Sequence, residues 1–107
     1  MIAVFYDRQR CQVRIRGHAG AGPAGRDLVC AGVSALAYTL AANVFALERS
    51  GAAVEVTVRM EPGDCFIACR GVPGRESKVQ AVYATVCLGL AGLARGYPEY
   101  VRYGQKG

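Results

Sequence analysis

From Leu28 to Leu47 the chain carries no charged residue, and that stretch restricts the possible folds more than any other feature. Its length reaches the roughly 20 residues that cross a membrane. It is rich in alanine, however, and carries Ser34, Thr39 and Asn43, and the chain as a whole is 52% hydrophobic, enough to enclose it in a core. A buried helix is the better reading. Asp27 is a good N-cap for it, so the helix is expected from Leu28 to Arg49. Ser50 and Gly51 should end it, because glycine readily takes the left-handed conformation at a helix C-terminus. Being apolar nearly all round, such a helix calls for cover on more than one side.

The flanking segments have other periods. Ile2–Tyr6 and Cys11–Arg16 are short apolar runs separated by Asp7–Arg10. Cys11, Val13 and Ile15 alternate with Gln12, Arg14 and Arg16, the period-two signature of a half-buried strand, so the pair reads as a hairpin. Val54, Val56, Val58 and Met60 are expected on one face with Glu55, Thr57 and Arg59 opposite. The turn Glu61-Pro62-Gly63-Asp64 then leads into Cys65–Cys69. Ser77 with Gln80 fits a capping box opening a second apolar helix to about Arg95. Gly96 and Pro98 stop it, and Tyr100–Tyr103 reads as a last strand. Gly89 and Gly92 on that helix would let another backbone approach closely. The expectation is an α+β chain of order ββαββαβ: two layers, an antiparallel or mixed sheet with two apolar helices on one face. With 107 residues and no linker, residues 1–107 read as a single domain.

Five cysteines cannot all pair internally. With no export signal ahead of Ile2, a reducing cytoplasmic compartment and free thiols are expected. Cys65 and Cys69, four apart in a strand, stand ~13 Å from each other, too far to share a zinc at about 2.3 Å from each sulfur or to form a disulfide. Cys11, Cys65, Cys69 and Cys87 therefore read as structural, and no metal or cofactor is expected. Gly20, Gly22 and Gly25 formally match a dinucleotide fingerprint, but a hairpin precedes them instead of a βαβ unit, and Pro23 interrupts them.

Cys30 differs from the other four. It lies three residues after Asp27, among the unpaired N–H groups and positive partial charge of a helix N-terminus, a setting that favours thiolate over thiol. The one histidine, His18, falls where the second strand should end. Strand end, glycine-rich loop and helix start bring both residues to the same edge of the fold, as a nucleophile and its base require. The bland alternative is a small buried hydrophobe and a polar loop residue. Ser34 lies one turn beyond Cys30 on the same helix face.

Gly17-His18-Ala19, Asp27-Leu28-Val29-Cys30-Ala31-Gly32 and Ser34-Ala35-Leu36 together resemble the ribosomal-processing cysteine protease family, called Prp. Gly92-Leu93 and Tyr97-Pro98-Glu99-Tyr100-Val101 are similar to that family's ending. The resemblance implies a cytoplasmic, homodimeric endopeptidase that removes the N-terminal extension of the large-subunit ribosomal protein numbered twenty-seven. It implies His18 and Cys30 as catalytic residues, with Gly17, Asp27 and Ser34 in supporting roles. It also implies that the loop Ala19–Arg26, including Gly20, Gly22 and Gly25, rearranges around the peptide. The partners expected are that ribosomal segment, a second copy of the chain and transient ribosome contact, with no membrane and no DNA.

The rival is a non-enzymatic ribosome- or RNA-associated module. It draws on the net charge of +5, which permits RNA without requiring it, and on Tyr97, Tyr100 and Tyr103.

Overall fold

The computed structural model describes residues 1–20, 22 and 27–107. The elements run β1 (Ile2–Asp7), β2 (Gln12–Arg16), α1 (Leu28–Arg49), β3 (Ala53–Glu61), β4 (Asp64–Gly71), α2 (Glu76–Gly96) and β5 (Val101–Lys106). The strands form a mixed sheet of order β3-β4-β2-β1-β5. All pairings are antiparallel except β1 with β5. This is the expected α+β architecture.

Alternation along the strands decides where the helices go, since successive side chains point to opposite faces. Ile2, Val4 and Tyr6 of β1, Val13 and Ile15 of β2 and Ile67 of β4 are all buried. They meet Val33, Ala37, Leu40 and Val44 of α1 and Val79, Tyr83, Val86 and Leu90 of α2 in one hydrophobic cluster. Leu40, Ile67 and Leu90 are fully enclosed; burying each contributes about 1.5–3 kcal/mol. By length and composition both helices would reach across a membrane, yet here each lays a buried stripe on the sheet. The helices also touch each other. A Cβ on Gly89 would stand 3.0 Å from Leu36, and one on Gly32 3.4 Å from Leu93. Gly92 has no such neighbour on α1, so of the two expected glycines only Gly89 serves the helix pair.

Four local expectations need correction. Val54 does not share a face with Val56, Val58 and Met60. The register shifts between Val54 and Thr57, where Glu55 has φ +54°, and this bulge inverts the side-chain parity. Ala53 is buried instead, while Val54 pairs with Arg70 on the opposite face. The capping box at Ser77 does not form either: α2 already begins at Glu76, and Arg75 at its cap makes no side-chain bond. The reason lies in the preceding loop, where Arg75 N–H donates to Val72 O at 2.9 Å and starts the turn early. Cys11 lies just outside β2, at φ +50°, although it is buried as expected. Tyr100 precedes β5.

A group of ionisable side chains is enclosed beneath α2. The rings of Tyr6 and Tyr83 stack at 6.1 Å, and Tyr83 Oη donates to Ile67 O at 3.3 Å. Burial pushes the Cys11 and Cys87 thiols up to about 11 and the Tyr6 phenol up to about 12. These groups are neutral when buried, and folding raises their pKa. Their contribution to stability is therefore complete below their unfolded values of 9.0 for cysteine and 10.0 for tyrosine. It is lost as pH climbs through the folded ones. The melting temperature should hold steady up to about pH 9 and fall between there and about pH 12. A flat melting profile over that range would contradict the burial of this cluster.

Candidate active site

His18 is positioned by its backbone neighbours. β2 ends at Arg16 and the chain turns at Gly17, whose φ is +97°. A Cβ there would run into the Met1 carbonyl, so only glycine suits the position. Gly17 N–H donates to Gly63 O at 2.9 Å, and the Met1 amine donates to His18 O at 2.6 Å. The segment is thus tied to β1 on one side and to the β3–β4 turn on the other. The imidazole itself lies against that turn: a Cβ on Gly63 would be 2.7 Å from Nε2 and 3.2 Å from Cε1. The ring remains exposed to solvent.

Cys30 is positioned by the helix. Asp27 caps α1 as expected, its Oδ1 accepting from Cys30 N–H at 2.9 Å while its carbonyl accepts from Ala31 N–H at 3.0 Å. The cap sets where α1 begins and so where the thiol stands. Cys30 is half-buried, whereas Cys11, Cys69 and Cys87 are buried.

Gly17, His18, Cys30 and Ser34 all line one cavity of about 260 Å³. Its floor is a cross-strand row, Met60 of β3, Cys65 of β4 and Ile15 of β2. Its wall is Val33, Ala37 and Tyr38 of α1, and its rim is Glu61–Asp64 of the turn. Among the described residues no hydrogen bond links His18 to Cys30. Catalytic hydrogen bonds commonly tighten only with substrate in place. A soft nucleophile and an imidazole facing one small, mostly apolar recess form an arrangement suited to acyl transfer.

The substrate-loop residues divide. Ala19 is buried at 5% exposure, which anchors it in the core instead of leaving it free to follow a peptide. Gly20 has φ +67° with open space around it, and Gly22 is exposed. Gly25, with Ala21, Pro23, Ala24 and Arg26, lies outside the described residues.

Cys65, expected to be structural, packs against the core and forms part of the cavity floor. Burial, followed by the neighbouring Asp64 carboxylate, pushes its thiol above the ordinary value. Gly63, Met60 and Tyr38 are further lining residues that sequence reading passed over. The turn was legible as a turn, but its position beside His18 depends on β4 pairing with β2, and no local signal carries that. Asp64 holds this turn in place, with one oxygen 3.1 Å from Arg59 and the other 3.6 Å from Arg16. Among the described residues no group of three or more His, Cys, Asp or Glu is placed to hold a metal. Of the tyrosines behind the RNA-module reading, Tyr100 and Tyr103 pack against the core and only Tyr97 is exposed.

Comparison with known proteins gives a consistent picture. The sequence model of the family described as Cysteine protease Prp matches residues 1–102. The chain is similar to a crystal structure described as an essential ribosomal processing protease Prp from S. aureus in complex with a covalently linked product peptide. The identity is 25%, the TM-score 0.78, and 99% of this chain and 100% of that one are covered. It is also similar to the crystal structure of SMU.848 from Streptococcus mutans, at 30% identity and TM-score 0.67 over 97% of this chain and 90% of that one. A hypothetical protein from Staphylococcus aureus, at 19% identity and TM-score 0.63, shares the fold. A comparison with curated proteins gave no match.

Proposed function

The chain belongs to the cysteine protease Prp family, and from that premise we propose that it is a single-domain cytoplasmic endopeptidase that removes the N-terminal extension of the large-subunit ribosomal protein numbered twenty-seven. The observation that carries the catalytic assignment is the convergence of His18, Cys30 and Ser34 on one cavity at the start of α1. The ribosomal substrate is supported by the similar S. aureus enzyme, described as a ribosomal processing protease.

The chemistry follows from the placement. Cys30 Sγ attacks the scissile carbonyl carbon as thiolate, forming the C–S bond. His18 gives its proton to the departing amine as the C–N bond breaks. His18 then takes a proton from water, hydroxide displaces the sulfur, and the acid product leaves with the thiol restored. Cys30 N–H and Ala31 N–H are already bonded to Asp27. The N–H groups of Leu28 and Val29, the first of the helix, have no acceptor within it and are the helix donors left to the developing oxyanion. Asp27 acts by fixing the helix start, and Ser34 by presenting a hydroxyl one turn beyond the sulfur. Gly20 and Gly22, open to solvent while Ala19 is held in the core, are the loop positions that shift around the bound peptide. With Ile15, Val33, Ala37, Met60 and Tyr38 around the recess, an apolar peptide side chain is the natural occupant. That removes the difficulty of a chain of net charge +5 acting on a basic ribosomal protein.

The test is incubation with the ribosomal protein precursor followed by mass spectrometry of both fragments. A single cut within the N-terminal extension is expected. An intact precursor would sink the substrate assignment.

The active form is a homodimer. The outer side of α1 exposes Leu28 at 81%, Tyr38 at 63% and Phe45 at 41%, with no charge between Leu28 and Leu47, and a second copy would cover it. Sedimentation should return about twice 11.3 kDa, and Phe45→Glu should halve that mass. A monomer at every concentration would remove the dimer from this reading.

A further inference from the structure

The face of the sheet turned away from both helices carries an ordered pattern. Strand register places Arg59, Phe66, Arg14, Phe5 and Gly104 in one row across β3, β4, β2, β1 and β5. Guanidinium and phenyl groups thus alternate over four neighbouring strands, and the row ends on a residue with no side chain. The Phe5 ring extends toward Gly104, where a Cβ would stand 3.3 Å from Cδ2. Arg14 lies over Phe66, its Cζ 4.8 Å from the ring centroid, and Arg59 approaches the same ring at 6.0 Å. Phe5 is 47% exposed.

The neighbouring row adds Arg16 and Arg102. Across the two rows Arg14, Arg16, Arg59 and Arg102 face only Asp64 and Glu61, and Asp64 is shared between Arg16 and Arg59. Among the described residues Arg14 and Arg102 have no ion-pair partner.

We infer that this open face binds single-stranded RNA. Bases stack on aromatic rings and on guanidinium planes alike, and the charge needed to hold phosphates lies between those surfaces. Strands are about 4.8 Å apart, so the exposed Phe5 ring and the Arg14 guanidinium lying over Phe66 offer two stacking positions within ~10 Å of each other. A second copy of this face would set four arginines against four others. An acidic peptide would meet the charge but leave the phenyl faces without a partner. The choice of RNA over DNA rests on the ribosomal reading; the site itself does not, since it lies on the opposite side of the sheet from Cys30.

The experiment is fluorescence anisotropy of the full chain with a labelled single-stranded RNA of about twelve nucleotides, within the usual range of site sizes. Saturable binding is expected at about 50 mM salt, weakening steeply towards about 200 mM. Phe5→Ala and Arg14→Ala should each weaken it about five- to a hundred-fold, with circular dichroism and peptide cleavage unchanged. Cys30→Ala should bind RNA as the parent does, so failure of the peptidase reading and failure of this one are separable. No binding at low salt, or full binding by folded Phe5→Ala, would overturn the inference. Equal affinity for DNA of the same sequence, or for a polyglutamate peptide, would overturn RNA as the partner.

Discussion

Replacing Cys30 by alanine is expected to lower cleavage of the ribosomal precursor by at least about 10⁴-fold, the order seen when a covalent nucleophile is removed. Thermal stability should barely change, because the side chain is half-buried at the cavity mouth. His18→Ala should cost about 10²–10⁴-fold, the usual worth of a positioned general acid and base. The same pair gives a readout without substrate. Iodoacetamide at neutral pH should label Cys30 first. The Cys11, Cys69 and Cys87 thiols are kept protonated by burial, which raises all three. His18→Ala should slow that labelling. Equal cleavage by Cys30→Ala, or labelling indifferent to His18, would show that the two residues share a cavity without sharing a reaction.

The second large effect is expected at a residue with no functional group. Gly63→Asn should reduce kcat about 100-fold, the scale of a misplacement near 1 Å in a catalytic site. KM should change little. The new Cβ would stand 2.7 Å from His18 Nε2, closer than packed atoms come, so the ring has to leave its seat. Asparagine is the informative substitution because it tolerates positive φ better than other side chains, and Gly63 sits at φ +74°. The turn should survive while the imidazole moves. Full activity in Gly63→Asn would mean that His18 works from another position than the one it occupies against the turn.

These two predictions differ in how far the sequence alone could have reached them. The Cys30 environment is a local matter. Asp27 and Cys30 are three residues apart, and an N-cap carboxylate bonds the third helical N–H by helix geometry alone. Charge-free sequence from Leu28 to Leu47 required a helix, and glycine after Ser50 ended it; the observed bounds are Leu28–Arg49. The period-two alternation of Val13 and Ile15 with Arg14 and Arg16 likewise marked the inner and outer faces of β2. Where local signals competed, reading failed. The valines of β3 look like one uninterrupted face until a bulge at Glu55 moves Val54 to the other side. Ser77 and Gln80 look like a cap until the loop from Val72 starts α2 ahead of them.

What the sequence determined by itself was what is set within a few residues: the two helices, the hairpins, the cap under Cys30 and the inner and outer faces of β2. Tertiary structure decided which strands became neighbours. Hydrogen-bonded pairing of β4 with β2, some fifty residues apart in the chain by their Ile15–Cys65 register, is selected by burial of a common core face and leaves no mark in either segment. That pairing brings Gly63 under His18, puts Cys65 in the cavity floor, and aligns Arg59, Phe66, Arg14 and Phe5 into a row on the outer face of the sheet.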